Sequence, residues 1–519
     1  MIDPRYDYKE LHTERASGVL LPLFALPSPY GIGSIGPFAY AFVDFLRKAE
    51  QKYWQLLPIG PTGYGNSPYS SMSSFAGNPY FIDLDALLRA GLLTQADIGE
   101  ITGEDGTHAG RIDYGALYRN RLPLLKKAYC RFTAHSAHRE LLHVFLTEQA
   151  DWLDDYALFS AIRSRFGEGA WYRWPEDIRK RTPQAMAAAW KELQEPFYFA
   201  VFLQYLFQKQ WDELKAYANQ AGVQLIGDIP IYCAHDSADV WAHPEVFCLN
   251  KDGSLGFVGG CPPADFDITG DFGQVWGTPV YDWAYLDRTG FAWLLARFKR
   301  QAYLYDVVRL DHFRGYESYW RIPFGGTGRD GSWEPAGGEK LFSLVQREIP
   351  TLRIIAEDLG YITKQAFHLR CRFGYSGMRI LQQGLNPFHA NEHTPHHYDA
   401  ATVLYFGIHD NEPFSVWLAA RTEEEKAYFF DYLNLNPADA AHPISLQLIK
   451  AMAASIANTV IYQAQDILFL GSESRINVPG RADGNWEFML TPEQFGQLTE
   501  SAAPLAHVTK LYGRQPKPR

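Results

Sequence analysis

Cysteine is scarce in this sequence. Cys130, Cys233, Cys248, Cys261 and Cys371 are the 5 cysteines of 519 residues, an odd number with no CxxC pair. That spacing excludes a disulfide framework and supplies no cysteine-based zinc site. Basic charge is also short: Lys+Arg 48 against Asp+Glu 59 leaves a net charge of −11, which disfavours a nucleic-acid partner. No run approaches the roughly 18 uninterrupted apolar residues of a membrane span, and the most apolar early stretch, GVLLPLFALP, is broken by Pro22. The opening MIDPRYDYKELHTERASG has no basic-then-apolar signal pattern, so a cytoplasmic protein is the expectation. HExxH, P-loop and GxSxG motifs are missing, as are internal repeats and low-complexity tracts.

Aromatic residues are plentiful instead: Phe 33, Trp 14 and Tyr 31, or 15% of the chain. A core absorbs many of these, and surface grooves that stack flat ligands can absorb others. Eight short, near-continuous apolar runs read as strands buried on both faces of a parallel sheet. They span 19–26, 53–59, 224–231, 305–312, 353–359, 377–383, 402–409 and 466–471. Helical patterns lie between most of them, while 384–401 reads as loop. Eight strands with intervening helices predict an α/β protein, a (β/α)8 TIM barrel. The length then reads as one barrel with two insertions. Residues 60–196 are mostly helical in pattern. Residues 234–285, rich in Gly, Pro, Asp and aromatics, suit a loop region that covers a substrate.

Three local patterns compete for chemistry. Gly31-Ile-Gly33-Ser-Ile-Gly36 fits GxGxxG, but the next run ends Leu57-Pro58-Ile59-Gly60 without the acid a dinucleotide ribose needs. A tight loop is the better reading. Glu392-His393-Thr-Pro-His396-His397 is a polar loop rather than a converging ligand set. The third pattern places acids at the ends of apolar strands: Asp311 after Val-Arg309-Leu, Glu357 after Ile-Ala, and Asp410 after Gly-Ile-His409. In a parallel barrel all strand C-termini share one mouth, so these three carboxylates converge. Retaining glycosyl transfer needs such a group: one carboxylate attacks the anomeric carbon while another keeps a proton for the leaving oxygen. Neighbouring charge separates their proton affinities, and Arg309 lies on the same strand face as Asp311.

At this point the chain resembles the amylomaltases, the 4-α-glucanotransferases of the glycoside hydrolase group that includes the α-amylases. The carrying segments are SGVLLPLFALPSPYGIGSIG, GNSPYSSMSSFAGNPYFIDL, GDIPIYCAHDSADVWAHPEVF, DVVRLDHFRGY, IIAEDLG, GMRILQ, HDN and QDILFLGSESRINVPG. They run through nearly the whole chain. The resemblance implies a barrel with helical insertions and no C-terminal β-sandwich. It implies Asp311 as nucleophile, Glu357 as acid/base and Asp410 as transition-state stabiliser. Arg309 would orient the nucleophile, His409 would bind sugar hydroxyls, and Asp228 would stand near the acid/base. Tyr69 would stack on the non-reducing sugar, and Trp276 would sit on a mobile loop over the acceptor sites. Tyr64, Ser67, His312 and Asn411 join the implied substrate-binding set. Either Asp265 or Asp267 would be the loop's substrate-contacting acid.

The resemblance further implies maltodextrins, amylose or starch- and glycogen-derived α-1,4-glucans as donors. Glucose or maltooligosaccharides would be the acceptors, with no metal and no cofactor. The chain departs from the family pattern in four places, one of them a slightly longer lid at 260–274. Glu412-Pro413 follows HDN where the family has Asp-Thr, Gln383 replaces a common aromatic, and the NW-x-WR arginine is missing from Asn485-Trp-Glu-Phe-Met. An α-1,4-glucan hydrolase of amylase type and a noncatalytic glucan-binding protein are the alternatives.

Overall fold

A computed structural model describes residues 14–63, 65–99, 110–263, 273–388, 390–439, 442–481 and 483–517. Tyr64, Asp265 and Asp267 therefore lie outside the described residues. The first strands along the chain are β1 (Ala16–Leu20), β2 (Tyr53–Gln55), β3 (Gln224–Ile229), β4 (Phe257–Cys261), β5 (Gln274–Pro279) and β6 (Val307–Leu310). They are followed by β7 (Ser318–Pro323), β8 (Ser332–Pro335), β9 (Arg353–Ala356), β10 (Ser376–Ile380), β11 (Thr402–Tyr405) and β12 (Thr459–Gln463). Eight of these close a parallel barrel in the order β1-β12-β11-β10-β9-β6-β3-β2. Helices follow the sequence pattern. Pro37–Lys48 starts on a proline suited to its first turn and buries Ala39, Phe42, Val43, Phe45 and Leu46 on one face. Gln194–Gln220, Ala292–Leu304 and Gly338–Glu348 precede β3, β6 and β9 in the same way. Between β2 and β3 further helices occur, among them Tyr114–Thr133, Ser136–Glu148 and Ala150–Arg165. Among the described residues no helix is long and apolar enough to cross a membrane.

The period of two along each strand decides what reaches the mouth. In β6, Val307 belongs to the cluster inside the barrel, while Val308 and Leu310 pack outward. Arg309 and then Asp311 therefore share the inward parity. Ile226 is inside and Leu225 and Ile229 outside, so Asp228 points inward. Ile355 is inside and Ile354 and Ala356 outside, which turns Glu357 inward.

Two expectations from the sequence are corrected. The eighth strand is Thr459–Gln463, not 466–471. The run at 466–471 starts in a short helix, Ala464–Ile467, whose Asp466 is buried and accepts a hydrogen bond from the Phe414 backbone N–H at 2.7 Å. The β-branched and aromatic residues Thr459, Val460, Ile461 and Tyr462 carry the true strand signal. The region 234–285 is not only loop either: β4 and β5 join β7 and β8 in a four-stranded antiparallel sheet of order β5-β4-β7-β8. Glycine hides this sheet from propensity arguments. A Cβ on Gly260 would lie 2.1 Å from the Gln274 carbonyl oxygen, so the close strand approach requires glycine there. The GxGxxG loop is equally tight, since a Cβ on Gly33 would meet the Leu23 carbonyl oxygen at 2.1 Å.

The seam between β1 and β12 is closed from below by Arg514. Its guanidinium is buried and donates to the carbonyls of Ala16, Ala453, Ser455, Ala457 and Asn458 at 2.8–3.2 Å. Arg514→Ala removes five charge-assisted hydrogen bonds, although Arg15 still donates to the Ala453 and Ser455 carbonyls and the Ala16 N–H to that of Asn458, and should lower the unfolding free energy by roughly 3 kcal/mol. The check is the midpoint of a urea titration, and an unchanged midpoint would refute the clamp.

Candidate active site

The C-terminal mouth of the barrel opens into a cleft of about 900 Å³. Its floor is organised around one buried cation. Arg309 Nη1 contacts both Asp228 carboxylate oxygens at 2.8 and 2.6 Å and Asp311 Oδ1 at 3.3 Å. Its Nη2 lies 3.3 Å from Glu357 Oε2. Three carboxylates from β3, β6 and β9 thus share one guanidinium. Buried charges of one sign are tolerable only with such a partner.

Glu357 is strongly perturbed. Burial pushes its carboxyl up to about 8 against the pull of Arg309, and the charge of Asp311 adds to the rise. Its Oε2 also accepts a 2.5 Å hydrogen bond from the His312 backbone N–H. His312 itself adopts a left-handed backbone at φ 47°, and burial lowers its imidazole to about 4, leaving it neutral near pH 7. Its ring meets Trp276 edge-on at 4.8 Å. The neighbour of Glu357, Asp358, has the opposite parity. It is buried against Arg370 and Arg379 and accepts from the Met378 N–H at 2.7 Å. It therefore holds β9 to β10 rather than facing the cleft.

The third strand-end acid enters from the loop after β11. Asp410 Oδ1 accepts from Asn477 Nδ2 at 2.6 Å and lies 3.4 Å from His409 Nε2. Arg475 donates to the Asp410 carbonyl at 3.2 Å and pairs with Glu412 at 3.1 Å. The departure at Glu412 thus belongs to a clamp on the Asp410 loop. One wall beside Asp410 is aromatic. Tyr69 donates to Asp228 Oδ2 at 2.8 Å, and its ring stacks on His409 with centroids 5.1 Å apart. Trp486 leans on both rings at 5.8 and 5.9 Å.

Ser67, Tyr69, Trp276, Asp311, His312, Glu357, His409, Asp410 and Asn411 all line this cleft, while Asp228 and Arg309 form its floor. Within it, Asn411 Oδ1 accepts from the Ile408 N–H at 2.9 Å, which shapes the loop. Sequence reasoning gave no role to Asn477, Arg475, Trp486, Arg314, Trp333 or Tyr361, although the first four lie within segments already quoted. The first three follow β12, and placing the eighth strand at 466–471 left their loop unrecognised as part of the mouth.

A carboxyl that keeps its proton, an adjacent carboxylate and a wall of rings can cleave and re-form bonds to a sugar. The fold and this cleft place the chain among the (β/α)8-barrel enzymes. Comparison with known proteins narrows the class. The 4-alpha-glucanotransferase family model matches residues 21–494. The 4-alpha-glucanotransferase of Clostridium butyricum is 41% identical over 493 residues, covering 94% of this chain and 99% of the relative. That of Thermus thermophilus is 43% identical over 489 residues, covering 92% and 95%. The solved amylomaltase from Streptococcus agalactiae, in complex with acarbose, superposes with a TM-score of 0.91 at 38% identity, covering 97% of this chain and 100% of that one. The chain belongs to the 4-α-glucanotransferase family, and it is an enzyme of glucan transfer.

Proposed function

We propose that the barrel and its two insertions, 60–196 and 234–285, act as one catalytic unit that disproportionates maltodextrins by retaining double displacement. The observation that carries this reading is Glu357, held protonated to about pH 8 while Asp311 occupies the same guanidinium. An Asp311 oxygen bonds to the anomeric carbon of the donor unit as the bond to the bridging oxygen breaks. Glu357 gives its proton to that oxygen, and the leaving chain departs as an alcohol. The covalent bond removes the Asp311 charge that helped Glu357 keep its proton, so the ionised Glu357 becomes a base suited to the second step. It takes the proton from the 4-hydroxyl of an incoming glucose or maltooligosaccharide, whose oxygen displaces Asp311. Two displacements restore the original configuration.

The remaining roles follow from position. Asp410, fixed by Asn477 and beside His409, faces the developing positive charge of the sugar ring, where a carboxylate stabilises it. Tyr69, His409 and Trp486 form the donor wall, Arg309 and Asp228 set the floor, and Ser67, His312, Asn411 and Trp276 contact the glucan. Tyr64 and either Asp265 or Asp267 complete the set from outside the described residues. Starch- or glycogen-derived α-1,4-glucans are the donors.

Incubation with maltotriose tests the reading. Glucose and maltodextrins longer than three units should appear together. Products shorter than maltotriose alone would identify a hydrolase of amylase type instead.

A further inference from the structure

Past Glu357 the cleft continues over rings that the two displacements do not use. Beyond the end of β9 the chain runs from Glu357 through Leu359 and Gly360 to Tyr361, and these residues line the same cleft. Tyr361 is 71% exposed, yet it is not loose. Its backbone carbonyl accepts a 2.6 Å hydrogen bond from Arg314 Nη1. The guanidinium carbon of Arg314, itself a buried residue, lies 5.0 Å from the Tyr361 ring centroid and 3.4 Å from that of Trp333. A fixed cation therefore touches both rings, a geometry that orders aromatic groups. Arg314 comes from the turn after Asp311, and Trp333 from β8 of the antiparallel sheet that also carries Trp276.

The chemistry assigns this part of the cleft to one side of the reaction. A general acid faces the bridging oxygen, so the sugar beyond it belongs to the leaving chain or the incoming acceptor. The opposite side is the donor wall of Tyr69, His409 and Trp486. We propose that Tyr361, together with Trp333 and Arg314, is an acceptor platform that holds the second and later glucose units of a maltodextrin. This inference rests on the glucan-transfer reading above and adds a determinant of acceptor length to it. The apolar face of a pyranose covers an aromatic ring, and a ring already anchored loses little freedom when it is covered. Free glucose is too short to reach it, so the platform favours oligosaccharide acceptors over glucose. A solitary exposed tyrosine would make no such distinction.

The test uses a donor blocked at its non-reducing 4-hydroxyl, which cannot itself serve as acceptor, and compares maltotetraose with glucose as acceptors. In Tyr361→Ala the ratio of kcat/KM for maltotetraose to that for glucose should fall about tenfold. Tyr361→Phe should keep the wild-type ratio, and Trp333→Ala should lower it as well. Active transfer with the same ratio in Tyr361→Ala as in wild type overturns the platform alone. A wild-type enzyme that releases only hydrolysis products overturns the transfer reading and the platform with it.

Discussion

Asp311→Asn should abolish transfer by about 10⁴-fold or more, while the protein still binds maltotetraose. The carboxamide has nearly the shape of the carboxylate, and its oxygen can still accept from Arg309 Nη1, now 3.3 Å away. What it lacks is a nucleophilic electron pair at carboxylate strength, so the covalent step fails although the cleft is intact. Initial rates with maltotriose and calorimetry with maltotetraose separate these two consequences. Activity within about tenfold of wild type would remove Asp311 from the role of nucleophile. The substitution also reports on its neighbour. The Asp311 charge is among the causes that raise Glu357, so the Glu357 carboxyl should titrate below 8 in the variant.

The second large effect belongs to Glu357. Above pH 8 the wild-type group is ionised and cannot protonate the bridging oxygen, so kcat/KM for maltotriose should fall along an alkaline limb centred near that value. Glu357→Gln should lose roughly 10³-fold or more with maltotriose and show no such limb. A maltosyl fluoride donor needs no proton on its leaving group. The variant should therefore form the covalent enzyme from the fluoride far faster than from maltotriose. Equal impairment with both donors would count against the acid role. Stability carries the same signature. The folded carboxyl titrates above its ordinary value near 4.5, so its contribution is full below 4.5 and is lost as pH rises through 8. Glu357→Gln should gain stability relative to wild type across that interval, which urea titrations at pH 5 and pH 9 can measure.

The acids at the barrel mouth were legible because the strands that deliver them are short and apolar. Asp311 and Glu357 follow β6 and β9 without an intervening residue, and their parity is set by Val307 and Ile355. Arg309 beside Asp311 follows from the same period of two. Other parts depend on contacts that sequence spacing does not encode. The clamp from Asn477 and Arg475 crosses more than sixty residues to reach Asp410. It becomes visible only when β12 is placed at Thr459–Gln463. Phe469 and its apolar neighbours imitate a strand, but Asp466 must be buried against Phe414 and the segment turns. The antiparallel sheet escaped because its strands contain the glycines that close packing requires and because its pairing joins two separate loops. Tyr361 gave no signal beyond its nearness to Glu357.

That sheet separates two jobs within one cleft. In the proposed mechanism bond cleavage rests on groups at the ends of barrel strands, where a shifted backbone disturbs every neighbour. Trp276 and Trp333 ride instead on β5 and β8, the two edge strands of a sheet that does not pair with the barrel. If the acceptor platform is as proposed, exchange of these segments between related chains should retune which sugars are elongated while the reacting centre keeps its geometry.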